Sequence, residues 1–379
     1  MSQPQDKNQN AAPVKQRSCY VDIMKGLLMF SVVAGHCLHA SVWTREPHAG
    51  YIPYIFNTFD MPMFMAISGY FFFMSAARRT VGELLHNKLL HILLPCFIWG
   101  VLIGVLQDYY HVKLLGDEIG WFTPQYSLWF LWSLCICICL CIIPILIRKI
   151  SELWSIIVTL LICVALCFIP NDFLPRNNYN VAYMFPFFYA GFLACRFKLT
   201  CKVRPYHIAL CFILMIGMNV AQALKLFENH SVWVDGTYLL GPLGLAAHLK
   251  YTVVRMVLAF VGCGVFAGAL WYAYKWIRPF KVARWWPLQV VKIFFMRVGE
   301  FSLAVYIMQS LVVETFFRHM MDLLRANGAV AQVFQLPCPH RIFNWVYLPI
   351  CSVLAICICL VVIRLASQNR VTKLLLLGK

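Results

Sequence analysis

The chain is organised as a series of long apolar runs separated by short polar segments that are rich in Lys and Arg. An apolar run of about 20 residues is long enough to cross the hydrocarbon core of a bilayer as a helix. The runs predict ten transmembrane helices, near 19–42, 54–76, 89–107, 127–147, 153–170, 180–195, 206–224, 252–274, 299–317 and 344–363. The pattern therefore predicts an all-α membrane protein built as a bundle of about ten transmembrane helices.

Composition supports this fold class. The chain is 61% hydrophobic and 12% charged, with a mean hydropathy of +0.73, which separates it from soluble domains. The polar residues 1–17 carry no cleavable secretory pattern, so we expect the first run to stay in the protein. We expect one membrane-embedded domain, 18–366, between a polar cytoplasmic tail, 1–17, and a basic cytoplasmic tail, 367–379.

The basic residues set the expected orientation. If the N-terminus is cytoplasmic, most of the 32 Lys and Arg fall on that side, many of them in a segment, 275–297, that is expected to be a loop. An excess of Lys and Arg is typical of cytoplasmic loops, so both termini are predicted to be cytoplasmic. The net charge of +17 then reflects topology, and the scattered basic residues argue against a nucleic-acid partner.

Most of the 17 cysteines lie inside apolar runs. Cys135, Cys137, Cys139 and Cys141 alternate along one run, so in a helix they would spread around the axis and would not converge on one ion. We expect these cysteines to be small apolar packing residues, and the sequence predicts no metal site.

The first apolar run carries an unusual set of polar residues, Asp22, Lys25 and His36. Ionisable groups inside a membrane usually face the protein interior or a water-filled cavity. Lys25 and His36 are eleven residues apart, which places them on nearly one helix face and about 16 Å apart along the axis. Asp22 and Lys25 can partly neutralise each other as i, i+3 neighbours. The set fits either a structural ion pair with a hydrogen-bonded histidine or a site in which His36 accepts a proton from a hydroxyl.

Two further segments carry candidate site residues. Asp60 and Pro62 lie in the first turns of the second run, where Pro62 is expected to bend the helix and His36 is a plausible partner for the carboxylate. Ser68 lies in a small-residue patch that suits helix packing. At the start of the third run, Lys88 and His91 share a helix face. They fit either a topology signal or, with Arg17, a site for an anionic cofactor.

Taken in order, these segments resemble acyltransferase family 3, especially its sugar O-acetylase branch. The first motif, D-x-x-K/R-G with a histidine eleven residues after the basic position, corresponds here to Asp22, Lys25, Gly26 and His36. Matches to the later family motifs are Phe59, Met61, Pro62, Phe64, Ser68, Gly69, Tyr70, Lys88, His91, Pro95, Trp129, Pro186, Gly191, Ser302 and Tyr306. The match spans roughly 17–310. It departs from the family pattern at Lys25, often Arg, at His91, which stands at a basic position, and at Asp60 and Gln309, where histidines are common.

The resemblance implies a multi-pass enzyme of the plasma (inner) membrane. It would move an acyl group, most often acetyl from cytosolic acetyl-CoA, to a sugar hydroxyl of an envelope glycan or lipid-linked precursor. Its partners would be acyl-CoA, that acceptor and membrane lipids, and no cofactor would be bound permanently.

The resemblance also implies roles for individual residues. His36 would be the general base, with Asp60 orienting it. Lys25, Lys88, His91 and Arg17 would hold the anionic CoA. Supporting residues would be Asp22, Ser68, Trp129, Ser302, Tyr306 and Gln309.

Two other classes of protein remain open from the sequence. Asp22, Lys25, His36 and Asp60 could form the proton relay of a secondary transporter or flippase, although the chain shows no inverted repeat. The changes at Asp60 and Gln309 also suit a membrane scaffold that has lost catalysis.

Overall fold

The computed structural model describes residues 18–41, 58–110, 128–169, 178–199, 203–223, 239, 244–277, 285–327 and 343–377. All regular secondary structure in these segments is helical. In the first half of the chain the helices are α1 Cys19–Ser41, α2 Asp60–Ala76, α3 Val81–Tyr109, α4 Trp129–Leu140, α5 Ile142–Arg148, α6 Glu152–Leu166 and α7 Asn178–Arg196. In the second half they are α8 Pro205–Ala223, α9 Leu245–Ile277, α10 Trp286–Glu300, α11 Ser302–Gln309, α12 Arg318–Ala326, α13 Leu348–Ala366 and α14 Arg370–Leu377. A π-helix, Ser310–Phe317, joins α11 to α12, and a second, Phe343–Tyr347, precedes α13.

The helices have the length and apolarity that membrane spans require. Within the described segments, five stretches meet both criteria: Cys19–Ala40, Val81–Tyr109, Trp129–Arg148, Leu245–Trp276 and Trp345–Ala366. Shorter apolar helices cover Glu152–Leu166, Val181–Arg196 and Pro205–Gly217. The predicted all-α membrane fold is confirmed at this level. The count of ten spans, the cytoplasmic termini and the domain boundaries stay predictions.

One segment differs from its expected structure. The basic segment 275–297 was expected to be a loop, but α9 extends to Ile277 and α10 begins at Trp286. Phe294 and Val298 lie one turn apart and face the core, while Lys292 and Arg297 lie on the more exposed side. The prediction was wrong because the basic residues obscured an amphipathic helix period.

Helix α10 packs closely along the lower half of α1. A Cβ atom added to Gly26 would collide with the backbone carbonyl of Phe295, and one added to Gly299 would collide with that of Asp22. Small residues permit this kind of backbone approach between membrane helices. The contact fixes the part of α1 that carries Asp22 and Lys25.

The other close helix contact joins α2 to α7. Gly69 lies against the backbone of Phe188, and Gly191 lies against the backbone of Ala66. The rings of Phe72 and Phe188 then pack 5.4 Å apart. Pro62 falls in the first turn of α2, because the helix begins at Asp60. A proline there breaks no internal hydrogen bond, so the helix need not bend at this residue as the sequence suggested.

We expect Gly191→Ala to destabilise the protein, because the new methyl group would meet backbone atoms that cannot rotate away. Overpacking of this kind lowers the free energy of unfolding by about 1–3 kcal/mol. The matched control is Gly104→Ala in α3, where an added Cβ meets nothing within 4 Å. That change should be neutral or stabilising by up to about 1 kcal/mol. Equilibrium unfolding in mixed detergent micelles measures both, and equal effects of the two variants would contradict the close α2–α7 contact.

Candidate functional site

A narrow cavity of about 230 Å³ lies between α1, α2, α3, α4 and α11. Its wall is mostly apolar, with Met29, Met61, Phe64 and Phe130 among the lining residues. Two lysines, Lys25 and Lys88, also line it. An apolar cavity with cations in its wall suits a ligand that has an anionic head and an extended uncharged arm.

The two lysines are positioned by different helices. Lys25 Nζ lies 3.1 Å from Asp22 Oδ1, so the expected i, i+3 pair is formed. Lys88 lies about two turns into α3, which starts at a capping box in which Thr80 and Glu83 satisfy each other's backbone N–H groups. The fixed starts of α1 and α3 therefore set the position of both cations.

Hydroxyl groups line the same cavity. Ser68 of α2 and Ser302 and Tyr306 of α11 contribute to its wall. The hydroxyl oxygen of Tyr306 accepts from the backbone N–H of Phe130 at 3.4 Å, and the two rings lie 5.7 Å apart. Four of the residues that the family resemblance singles out, Lys88, Ser68, Ser302 and Tyr306, thus meet Lys25 around one cavity.

Two other expected residues, His91 and Trp129, are not among the described residues that line this cavity. His91 follows Lys88 on α3, and its Nδ1 atom is buried with no hydrogen-bond partner in the described part of the chain. Trp129 begins α4 and packs 6.0 Å from the ring of Phe130, which does line the cavity. Arg17 lies outside the described residues.

His36 lies nearer the C-terminal end of α1 than Lys25 and pairs with a carboxylate that was not predicted from the sequence. His36 Nδ1 is 2.6 Å from Oε1 of Glu314. Because a carboxylate only accepts, Nδ1 is the donor in this contact. In neutral imidazole, Nε2 then carries the lone pair. The His36 side chain is 28% exposed, whereas the Glu314 side chain is 9% exposed, so the histidine is the accessible member of the pair.

Glu314 reaches His36 from the π-helix Ser310–Phe317. Thr315 Oγ1 donates to the backbone carbonyl of Ser310, five residues earlier, at 3.1 Å, in keeping with the wider turn. Short π-helices are frequent at functional sites because they change the direction of the side chains that follow. The signal that could have found Glu314 was present in the sequence: a lone carboxylate in the apolar run SLVVETFF calls for a partner, as at Asp60.

Asp60 is fully enclosed by the fold and lies close enough to His36 for the two charges to interact, although its hydrogen bonds go to other groups. It is 2% exposed, and its Oδ2 accepts from the hydroxyl of Ser31 at 3.2 Å. Its Oδ1 accepts from the backbone N–H of Met61 at 2.7 Å. Ser31 lies between Lys25 and His36 on α1, so Asp60 contacts the middle of the same helix. His36 donates its hydrogen bond to Glu314, and Asp60 acts on His36 through charge.

Gln309 ends α11 and is completely buried. Its Nε2 donates to the hydroxyl of Ser310 at 3.2 Å, while its Oε1 has no hydrogen-bond partner among the described residues. It lies directly before the π-helix that carries Glu314. Gln309 therefore sits where the helix changes its geometry, and its partners do not include the cavity lining.

The site therefore has two parts along α1. The cavity with Lys25 and Lys88 forms the first part, and the His36–Glu314 pair forms the second, with Met61 and Asp60 between them. Two carboxylates and a histidine are held within apolar helices where such groups require a function or a partner. These features define a helical membrane protein with a histidine–carboxylate pair beyond a cavity that has two lysines in its wall.

Comparison with known proteins agrees with this class. The sequence model of acyltransferase family 3, described as an acyltransferase domain, matches residues 20–364. The chain therefore belongs to acyltransferase family 3, and it is an acyltransferase of the membrane. This membership confirms the resemblance in the sequence and favours an enzyme over the transporter and the scaffold.

Two curated relatives match over long segments. Nodulation protein NolL of Sinorhizobium fredii is 24% identical over 323 residues, which cover 82% of this chain and 81% of the relative. Nodulation protein NolL of Mesorhizobium japonicum is 26% identical over 188 residues, which cover 48% of this chain and 49% of the relative. No solved structure matches the chain.

Proposed function

We propose that this acyltransferase moves an acetyl group from acetyl-CoA to a sugar hydroxyl of an envelope glycan or lipid-linked precursor, in the inner membrane. The observation that carries the proposal is the arrangement along α1. Lys25, which lines the apolar cavity, and His36, which pairs with Glu314, lie on this one helix about 16 Å apart along its axis.

The donor side of the proposal rests on the cavity. Lys25 and Lys88 supply positive charge for the phosphates of CoA. The apolar wall between Met29, Met61 and Phe64 suits the uncharged pantetheine arm. If Lys25 lies near the cytoplasmic surface, as the charge distribution predicts, the donor enters from the cytosol and its thioester points toward His36.

The chemical step assigns His36 as general base. The acceptor hydroxyl oxygen attacks the thioester carbonyl while Nε2 of His36 takes the hydroxyl proton. The C–S bond then breaks, and the proton returns from the imidazolium to the CoA sulfur. Glu314 holds Nδ1 protonated and stabilises the imidazolium, the role that a buried carboxylate has beside a catalytic histidine.

The acceptor is proposed from the resemblance to the sugar O-acetylase branch. Transfer from labelled acetyl-CoA to isolated envelope glycan by the purified protein in detergent tests it. Label should appear on the glycan as an alkali-labile ester, with one CoA released for each ester. CoA thioesters that neither bind nor lose label would contradict the proposal.

The role of Lys88 in donor binding gives a separate prediction. We expect Lys88→Gln to raise KM for acetyl-CoA about tenfold with little change in kcat, because a charged hydrogen bond to phosphate contributes about 1.5–3 kcal/mol. The matched control is Lys149→Gln, at an exposed lysine after α5. Initial rates over a range of acetyl-CoA concentrations measure both. A fall in kcat at unchanged KM would place Lys88 outside the donor site.

A further inference from the structure

Helix α9 carries a polar stripe that the donor site and the His36–Glu314 pair do not use. His248, Thr252 and Arg255 follow each other at i, i+4 and i+7, so they share one helix face. His248 is 2% exposed and Thr252 is 8% exposed. The stripe therefore faces the protein interior, although it belongs to a helix that is long and apolar enough to span a membrane.

Arg255 is the charged member of this stripe. Its guanidinium carbon lies 4.0 Å from the ring centroid of Tyr183, which is 3% exposed. The Nε atom of Arg255 and the hydroxyl oxygen of Thr252 are buried without a hydrogen-bond partner in the described segments. No described carboxylate forms a salt bridge with Arg255. Arg255 is half-buried and its guanidinium contacts Tyr183, but its Nε atom and the Thr252 hydroxyl are left unpaired. Buried polar atoms in this state call for a ligand, because each costs free energy when it has no partner.

The helix contacts place Arg255 on the His36 side of the molecule. Tyr20 at the start of α1 donates to the carbonyl of Ala267 at 2.7 Å, and Cys263 Sγ approaches the carbonyl of Phe59 at 3.6 Å. Phe59 is next to Asp60, which contacts Ser31, so Cys263 lies near the level of Ser31 on α1. Residue numbers therefore fall along α9 as they rise along α1, and the two helices run antiparallel. In the same direction, His36 is about 7 Å beyond Ser31 along α1, and Arg255 is about 12 Å beyond Cys263 along α9.

This position separates Arg255 from the donor phosphates. The cations that line the donor cavity, Lys25 and Lys88, lie toward the opposite end of α1. An anion held by Arg255 would therefore belong to the molecule that arrives from the other side. The guanidinium offers a planar pair of donors that matches a carboxylate or a phosphate, and stacking on Tyr183 fixes its plane.

We propose that Arg255 and Thr252, held against Tyr183, form a subsite for an anionic group of the acyl acceptor. The inference rests on the proposed function and adds that the acceptor is acidic. The anion could be the carboxylate of an acidic sugar or the phosphate of a sugar phosphate. The shared chemistry is an oxyanion close to the hydroxyl that is acylated.

Equilibrium binding to the purified full-length protein in detergent tests this subsite without the donor. The probes are glucuronate, glucose 1-phosphate and neutral glucose. We expect at least one anionic probe to bind at least tenfold more tightly than glucose, and the better one identifies the source of the oxyanion. Arg255→Gln should weaken binding of that probe at least tenfold and leave binding of glucose unchanged. Arg364→Gln, at an exposed arginine of α13, is the control.

Two further measurements keep the test decisive. Acetyl-CoA binding by each variant reports on folding and on the donor site. If the wild type does not bind acetyl-CoA, that result contradicts the proposed function and not the subsite. If Arg255→Gln does not fold, Arg255→Lys and Thr252→Val should each weaken the anionic probe several-fold. Equal binding of all three probes by the wild type, or unchanged anion binding by every folded variant, would overturn the proposal.

Discussion

Replacing Glu314 with glutamine is expected to reduce kcat for acyl transfer by about 10²-fold or more, with little change in KM for the donor. The carboxylate accepts from Nδ1 of His36 at 2.6 Å and so leaves the Nε2 lone pair for the acceptor hydroxyl. A glutamine of the same size can donate to Nδ1 instead. That contact would favour the tautomer with a proton on Nε2, which cannot act as a base.

The control for this variant is Glu152→Gln. Glu152 pairs with Arg196 at 3.1 Å, but the pair is open to solvent, with the Arg196 side chain 42% and the Glu152 side chain 37% exposed. An exposed pair contributes about 0–1 kcal/mol, so activity and stability should stay close to those of the wild type. Single-turnover transfer from labelled acetyl-CoA gives the rates, and thermal unfolding gives the stabilities. Full activity in Glu314→Gln, at unchanged stability, would remove Glu314 from the mechanism.

The membrane fold was predictable because most of the apolar runs contain enough residues to span a bilayer, and each predicted run overlaps a helix. Helix α10 escaped prediction for a physical reason. Its apolar face is narrow, and Gly299 contributes no hydrophobic signal, although it allows the backbone of α10 to touch Asp22. Close packing of this kind depends on shape, which hydropathy along the chain does not report.

Several residues that line the cavity could be selected from the family resemblance. Lys25 and Lys88 meet around one cavity with Ser68, Ser302 and Tyr306, as the order of the family motifs suggests. The partner of His36 could not be chosen in this way. Asp60 and Glu314 are both carboxylates in apolar runs, and their distances from His36 depend on helix crossing and on the π-helix at 310–317. Neither is encoded in residue spacing along one helix.

The contacts of Arg255 also could not be predicted from residue spacing along one helix. Arg255 stands within an apolar run, and its aromatic neighbour Tyr183 comes from a helix more than 50 residues earlier in the chain. Only the packing of α9 on α7 shows that the guanidinium lies over Tyr183, on the helix face that also carries the buried Thr252. An isolated basic residue in a membrane helix therefore becomes interpretable once the opposing helix is known.

The largest expected effect follows from His36→Gln. Removal of the general base should lower kcat by about 10²–10⁴-fold. Acetyl-CoA binding should stay within about twofold of the wild-type value, because His36 does not line the cavity that holds Lys25 and Lys88. The pair of measurements is a rate from single-turnover transfer and a Kd from equilibrium binding of labelled acetyl-CoA. A lower rate at an unchanged Kd indicates a role in the chemical step, whereas a higher Kd indicates a role in donor binding.

His39→Gln is the matched control for this variant. His39 lies on the same helix, three residues beyond His36, and is exposed. Its replacement should leave both the rate and the Kd near the wild-type values. If His36→Gln weakens donor binding as strongly as it slows transfer, then His36 contacts the donor, and the base must be sought elsewhere. If only the rate falls, and if added imidazole partly restores it in His36→Ala, then the proton leaves the acceptor hydroxyl at the position of Nε2, which Glu314 holds in place.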